Sequence, residues 1–205
     1  TANVANATTK EFLNLDKRIQ GWFAENAPEL MSKSTGPSQV FSQISSRDVP
    51  AMLQGTGLAL IGISMIILLV IRNIKYGLMS LIPNLLPAAM AFGLWGYYTG
   101  AVTLAVSIVV AMTLGIVVDD SVHFMLKYAK ARKKGKSPED SVREAFQKVG
   151  MALTTTTIGL FLGFCVLAQS GFAVNKDMAQ LTAITVVFAL VVDYLLLPPV
   201  LIWID

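Results

Sequence analysis

Two long stretches of this sequence carry no charged side chain, and they limit the fold more than any other feature. Neither Val49 to Ile71 nor Tyr76 to Val118 contains Asp, Glu, Lys or Arg. A helix that crosses the apolar core of a bilayer needs about 20 such residues. Over the whole chain 14% of residues are charged, against about a quarter in soluble domains. The sequence therefore predicts an all-α membrane protein, because lipid offers backbone groups no partner outside their own helix.

Interruptions in the apolar stretches predict five transmembrane helices. Arg72–Lys75 and Tyr97–Gly100 separate the first three, and Asn175–Asp177 lies in the loop before the last. Pro83 and Pro87 are expected to kink the second helix. The predicted spans cover residues 51–71, 78–97, 101–126, 151–170 and 178–204.

Two segments are expected to lie outside these spans. Residues 1–48 hold a helical apolar pattern and a second short helix around Val40 to Ile44, and they are interpreted as the tail of an extracytoplasmic domain that precedes a transmembrane domain at 49–205. In the basic loop, Ser137 is a good N-cap for a helix over residues 138–149. Its apolar side predicts a position in the membrane interface.

Loop charges predict the orientation. The loop 127–148 is strongly basic, whereas Tyr97–Gly100 is uncharged. The positive-inside rule places that loop and the C-terminus in the cytoplasm and residues 1–48 outside, in a multi-pass protein of the cytoplasmic (inner) membrane. Because the basic residues fix topology and contact anionic lipid, the isoelectric point of about 9.0 needs no nucleic acid to explain it. Membrane lipids are the expected partners.

Carboxyl groups stand inside the predicted spans at Asp119-Asp120 and at Asp193. Asp119 precedes Lys127 by eight positions, or roughly 12 Å, which is near the middle of an apolar core about 30 Å thick. The alternative is that the third span ends at Val118 and that the pair already lies in water. Two adjacent carboxyls in a low dielectric cannot easily both ionise, so one keeps a proton that it can exchange. This pattern predicts a proton relay.

Other polar residues could support that relay. His123, the only histidine, is either a proton shuttle or a polar residue near the helix end. Asp193, flanked by apolar residues, is a further candidate. Four threonines of the fourth span either donate hydrogen bonds to Asp119 or bond back to their own helix: they are Thr154, Thr155, Thr156 and Thr157. No metal-ligand spacing, phosphate loop or nucleophile elbow is present in the sequence, so we expect neither an enzyme nor a cofactor.

At Gly115 to Phe124, the sequence G-I-V-V-D-D-S-V-H-F resembles the signature of the proton-relay helix in RND-superfamily exporters, which include the MMPL lipid exporters and the hopanoid-transporter group. The surrounding elements occur in the matching order, from a Pro-Asn-x-x-Pro element at Pro83–Pro87 through a basic loop and a Thr-rich helix. The last helix ends in an A-x-x-x-D-x-L-L-L-P-like pattern from Ala189 to Pro198. The resemblance covers about Arg47 to Asp205.

This resemblance implies proton-motive-force-driven export of hydrophobic or lipid-like substrates, with protons as the coupling ion and Asp119 and Asp120 as the relay. It also implies that the chain is a fragment with the last five transmembrane helices of one half of a transporter. Expected partners are the other half-bundle and extracytoplasmic domains, in a homo-oligomer or a larger envelope complex. A sterol-sensing-like lipid receptor and an envelope scaffold are the alternatives.

Overall fold

A computed structural model describes residues 9–30, 32–71, 81–99 and 104–205, and these ranges form helices and connecting segments without a strand. A 3₁₀ turn follows the first helix at Pro28–Leu30, and a π-helical turn at Phe146–Gly150 joins the fifth helix to the sixth. The α-helices are α1 Thr9–Asn26, α2 Pro37–Ile71, α3 Leu81–Thr99, α4 Leu104–Lys133, α5 Pro138–Ala145, α6 Met151–Leu167, α7 Ala173–Leu195 and α8 Leu197–Ile204.

Four stretches of the described residues are long and apolar enough to cross a membrane, and with the helical fold they confirm the predicted all-α membrane protein. Helix α3 is 19 residues long and is not among the four, so the predicted count of five spans stays a prediction. The predicted basic turn Arg72–Lys75 and Gly100 of the uncharged turn lie outside the described residues. The four stretches are Pro37–Ile66, Ile108–Lys133, Pro138–Leu167 and Ala173–Trp203.

The chain divides into two compact units, Thr1–Met52 and Leu53–Asp205. In the first, Asp16 accepts hydrogen bonds from Ser34 Oγ and from Gln39 Nε2, the latter at 2.9 Å. The expected short helix around Val40 to Ile44 is not a separate helix. It forms the first turns of α2, which continues through Pro50 although proline has no N–H for the carbonyl four residues earlier.

In the second unit, α4 and α7 lie side by side and run in the same direction. Ser121 of α4 bonds to Asp193 of α7, and the same offset of 72 residues relates Val109 to Leu181, which share an apolar cluster. Every fourth residue between these pairs is also buried on each helix, so one continuous seam joins the two helices. The seam residues are Val109, Thr113, Val117 and Ser121 on α4, and Leu181, Thr185, Ala189 and Asp193 on α7.

An apolar cluster closes the end of this unit that carries Lys127 to Lys136, which we call the basic end. Phe124 of α4 is fully buried there and meets the ring of Phe146 edge-on, with centroids 4.8 Å apart. At the same end Tyr128 donates to Asp205 (2.7 Å), which also pairs with Arg132. Helices α5 and α8 thus pack against α4 beyond the predicted span boundary at residue 126.

The last predicted span, residues 178–204, is not one unbroken helix. Helix α7 starts earlier, at Ala173, and ends at Leu195, and α8 begins at Leu197. Pro198 and Pro199 follow this break, and neither can donate a backbone hydrogen bond to the end of α7. The proline pair therefore lets the chain change from α7 to α8.

The N-cap predicted for α5 is confirmed. Ser137 Oγ accepts the backbone N–H of Asp140 at 3.1 Å, and Pro138 begins the helix. We expect Ser137→Ala to destabilise this helix by about 1 kcal/mol, the usual cost of losing a cap. Faster amide hydrogen exchange over residues 138–145 would measure the loss. Ser137→Asp supplies another capping oxygen and should restore protection, and equal exchange in all three proteins would contradict the capping role.

Candidate functional site

Asp119 and Asp120 lie on an unbroken helix. Helix α4 continues unbroken from Leu104 to Lys133, past the point at which the alternative ends the third span. The apolar residues after the pair are not an exposed tail, because Phe124 and Met125 are buried in the cluster at the basic end. The pair therefore stands within a helix that is long enough to span a membrane.

Asp119 and His123 lie next to each other on the outer face of α4. His123 Nε2 lies 3.3 Å from Asp119 Oδ1, as the i,i+4 spacing allows, and the Asp119 side chain is 72% exposed in this chain. Asp120 is half-buried. The structure thus brings His123 to Asp119 and turns both side chains away from the α4–α7 seam.

The two carboxyl groups line a groove between α4 and α6. Two adjoining cavities of about 480 and 380 Å³ share Asp119, Asp120 and Thr156 in their walls, and we call the pair of cavities the carboxyl groove. The remaining walls are apolar at one end and basic at the other. Gly115, Ile116 and Leu160 line the first cavity, and His123, Lys127, Lys148, Val149, Ala152 and Leu153 line the second.

The groove joins the carboxyl pair to the basic end of the unit. Lys127 and Lys148 stand at that end. Lys148 also forms a salt bridge with Glu144, and Lys136 Nζ lies 2.9 Å from Glu144 Oε2. Ionisable groups within spanning segments face a bundle interior or a water-filled cavity. The carboxyl groove extends along α4 from the lysines to the carboxyls.

The threonines of α6 divide into different roles. Only Thr156 lines the carboxyl groove, and its hydroxyl donates to Ala152 O at 3.0 Å, within its own helix. Thr155 likewise donates to Met151 O. Thr157 is buried, and Thr154 lies 2.7 Å from the hydroxyl of Tyr194. Thr156 lies near Asp119 in the groove, while the hydroxyls of Thr154, Thr155 and Thr156 take the back-bonded arrangement that was the alternative.

Asp193 is buried on the opposite side of α4 from Asp119. Its side chain is 1% exposed, and Ser121 Oγ donates to Oδ1 at 2.9 Å. Successive helix residues point about 100° apart, so Ser121 points about 200° away from Asp119. The structure therefore places Asp193 in the seam rather than in the carboxyl groove.

The two prolines of α3 lie in the interior of the second unit. Pro83 and Pro87 are both buried, and the helix continues through Pro87. Asn84 between them is 1% exposed, and its amide has no hydrogen-bond partner in the parts of the chain that the structure describes. The predicted kinks stay predictions, whereas the burial of a polar amide beside the prolines is a feature that sequence reasoning missed.

Sequence reasoning also missed Ser121 and Tyr194. Tyr194 donates to Gly150 O at 2.8 Å and packs edge-on against Phe146, with centroids 5.0 Å apart. The sequence shows a Ser directly after two acids and a Tyr directly after a third acid, Asp193. No local pattern, however, indicates partners that are 72 and 44 residues away.

Comparison with known proteins supports this architecture. The model of the MMPL family matches residues 20–204. The chain is also 26% identical over 147 residues to a protein of Methanocaldococcus jannaschii described as "Putative membrane protein MJ1562". That match covers 72% of this chain and 38% of the relative, so the chain spans well under half the length of the relative. The family match extends over nearly all of the second unit, including the carboxyl groove, and on this evidence the chain belongs to the MMPL family.

Proposed function

We propose that this chain forms part of an exporter that uses the proton-motive force to move hydrophobic or lipid-like molecules across or out of the cytoplasmic membrane. One observation carries the proposal: adjacent carboxyl groups on an unbroken spanning helix line a groove that extends to a basic end. Protonation and release at Asp119 and Asp120 would drive the conformational change. Membership of the MMPL family supports transport as the kind of activity.

The groove supports proton exchange with one side of the membrane. Its wall changes from lysines at the basic end to the carboxyls and then to apolar Ile116 and Leu160. Water can therefore reach the carboxyls from the basic end, while the apolar end separates them from the other side. By the positive-inside rule the basic end, with the loop 127–148 and the C-terminus, is cytoplasmic, and the N-terminal segment is extracytoplasmic.

The exposed face of Asp119 supports a partner within the membrane. A carboxylate on a spanning helix is costly against lipid and is normally covered by protein or water. We infer that the remainder of the transporter, a second half-bundle or another copy in an oligomer, covers the Asp119–His123 face. Lipid would contact the other exposed sides, where large apolar side chains such as Ile61, Met65 and Leu69 of α2 stand exposed.

A cavity separate from the carboxyl groove supports a lipid-like substrate. It measures about 450 Å³, lies between α3, α6 and α7 and is at the end remote from the basic end. Its walls are apolar and aromatic apart from one amide, and such walls suit an acyl chain or a flat hydrophobic ring. The lining residues are Leu94, Trp95, Tyr98, Cys165, Ala168, Gln180, Ala183 and Ile184.

The same cavity favours a second candidate function, a sterol-sensing-like receptor that binds lipid without moving it. Reconstitution of the full-length gene product into liposomes separates the two candidates. An exporter should move a fluorescent-tailed phospholipid faster when a pH gradient is imposed, and a protonophore should abolish the increase. A receptor should bind the probe equally with and without the gradient and move none. Gradient-independent movement would contradict proton coupling.

A further inference from the structure

Two adjacent residues of α7 hold the two helices that form the carboxyl groove. Asp193 Oδ1 accepts the Ser121 hydroxyl of α4 at 2.9 Å. Tyr194 donates to the Gly150 carbonyl, at the start of α6, at 2.8 Å and lies 2.7 Å from Thr154 Oγ1. A single turn of α7 therefore contacts both walls of the groove from behind.

These contacts lie at the level of the carboxyl pair. Ser121 directly follows Asp120, and Thr154 precedes Thr156 by two residues, so each contact is within about one 5.4 Å helical turn of a groove residue. Helices α4 and α6 each pack along α7, whereas packing between α4 and α6 themselves is sparse. The separation of the groove walls therefore depends on how each wall is fixed to α7.

The first contact is buried, and the second is part-buried at a close approach of two helices. Ser121 is fully buried and Asp193 nearly so, and a polar contact in such a place is costly to break because no water replaces it. At the other contact, a Cβ atom on Gly150 would lie 3.3 Å from the Tyr194 hydroxyl, so the backbone of α6 approaches α7 closely there. Phe146 packs edge-on against both Tyr194 and Phe124. It therefore joins the π-helical turn before α6 to both α7 and α4 at the basic end.

We propose that Asp193 and Tyr194 are positioning residues that set the distance between α4 and α6 and so keep Asp119 and Asp120 opposite Thr156. Asp193 acts as the acceptor of the Ser121 hydrogen bond and is not a stop for the transported proton. The significance of the distance rests on the proposed function, but the distance itself is a property of the fold. The two parts can therefore fail separately.

The first experiment measures the distance directly in the full-length gene product. Spin labels at Met112→Cys on α4 and Leu162→Cys on α6, both exposed positions, report the separation in a Cys165→Ser background. Ser121→Ala and Tyr194→Phe should each widen the distance distribution. Thr185→Val is the matched control, since Thr185 is a buried α7 hydroxyl that donates to Leu181 O of its own helix. Unchanged distributions in both variants would overturn the proposal.

The second experiment asks whether the carboxylate or the hydrogen bond at residue 193 matters for transport. Asp193→Asn keeps a carbonyl oxygen for Ser121 and should retain the rate within about twofold, whereas Asp193→Leu removes the acceptor and should slow transport about tenfold, the effect of 1.36 kcal/mol on a barrier. Loss of transport in Asp193→Asn with an unchanged distance would overturn the positioning role. If the Ser121→Ala and Tyr194→Phe distances widen but the wild-type protein shows no pH-driven transport, the proposed function alone is overturned.

Discussion

Asp120→Asn is expected to stop pH-driven transport while leaving the fold intact. Asn has nearly the size of Asp but cannot take up and release a proton, so the groove keeps its shape and loses its exchangeable site. Loss of a proton-transferring side chain slows reactions on the order of 100-fold or more, and we expect a loss of that size here. Asp119→Asn should have the same effect, since the two carboxyls line the same groove. Uptake of a fluorescent lipid by liposomes under a pH gradient is the measurement.

Asp177→Asn is the control for these variants. Asp177 lies in the first turns of α7, at the end remote from the carboxyl groove, and its replacement removes the same charge from the chain. It should transport at the wild-type rate. If Asp119→Asn and Asp120→Asn both kept that rate as well, the carboxyl pair would not be the relay.

Ala189→Leu is expected to have the largest effect on stability. Ala189 is 3% exposed and lies in the seam at the level of Val117. The seam residues before and after it on α7 are Thr185 and Asp193. Small residues let two helices approach closely, and a larger side chain there must push α4 and α7 apart. Overpacking of this kind costs about 1–3 kcal/mol. A lower midpoint of thermal unfolding in detergent would show the effect.

Val191→Leu is the matched control on the same helix. Val191 is 40% exposed, so added volume at that position can extend away from the seam. Its unfolding midpoint should equal that of the wild-type protein. Equal midpoints for Ala189→Leu and the wild type would mean that the seam is looser than the structure indicates.

Features that are local in sequence could be predicted, and most of them are present in the structure. Charge-free stretches identified an all-α membrane protein, and the Ser137 cap identified the start of α5. The approach of His123 to Asp119 follows from the i,i+4 spacing alone. Each of these depends on neighbours within one helix, where geometry is fixed by the backbone.

Contacts between helices could not be predicted, because nothing in a single sequence encodes their register. Asp193 was expected to support a relay, yet its partner is Ser121, on the far side of α4 from Asp119. For the threonine run the sequence left open whether the hydroxyls bond to Asp119 or back to their own helix, because a helical threonine always has a carbonyl of its own helix within reach. Tyr194 had no predicted role, since its partner Gly150 is marked only by the absence of a side chain.

The π-helical turn at Phe146–Gly150 has a consequence for how this chain tolerates changes in length. Such a turn closes with i→i+5 bonds, so it holds one residue more than an α-helical turn and rotates all that follows by about 100°. The angular phase of α5 and that of α6 are therefore set independently. Removing Gln147 from this turn would rotate the entire threonine helix and move Thr156 out of the carboxyl groove, although Gln147 does not itself line the groove.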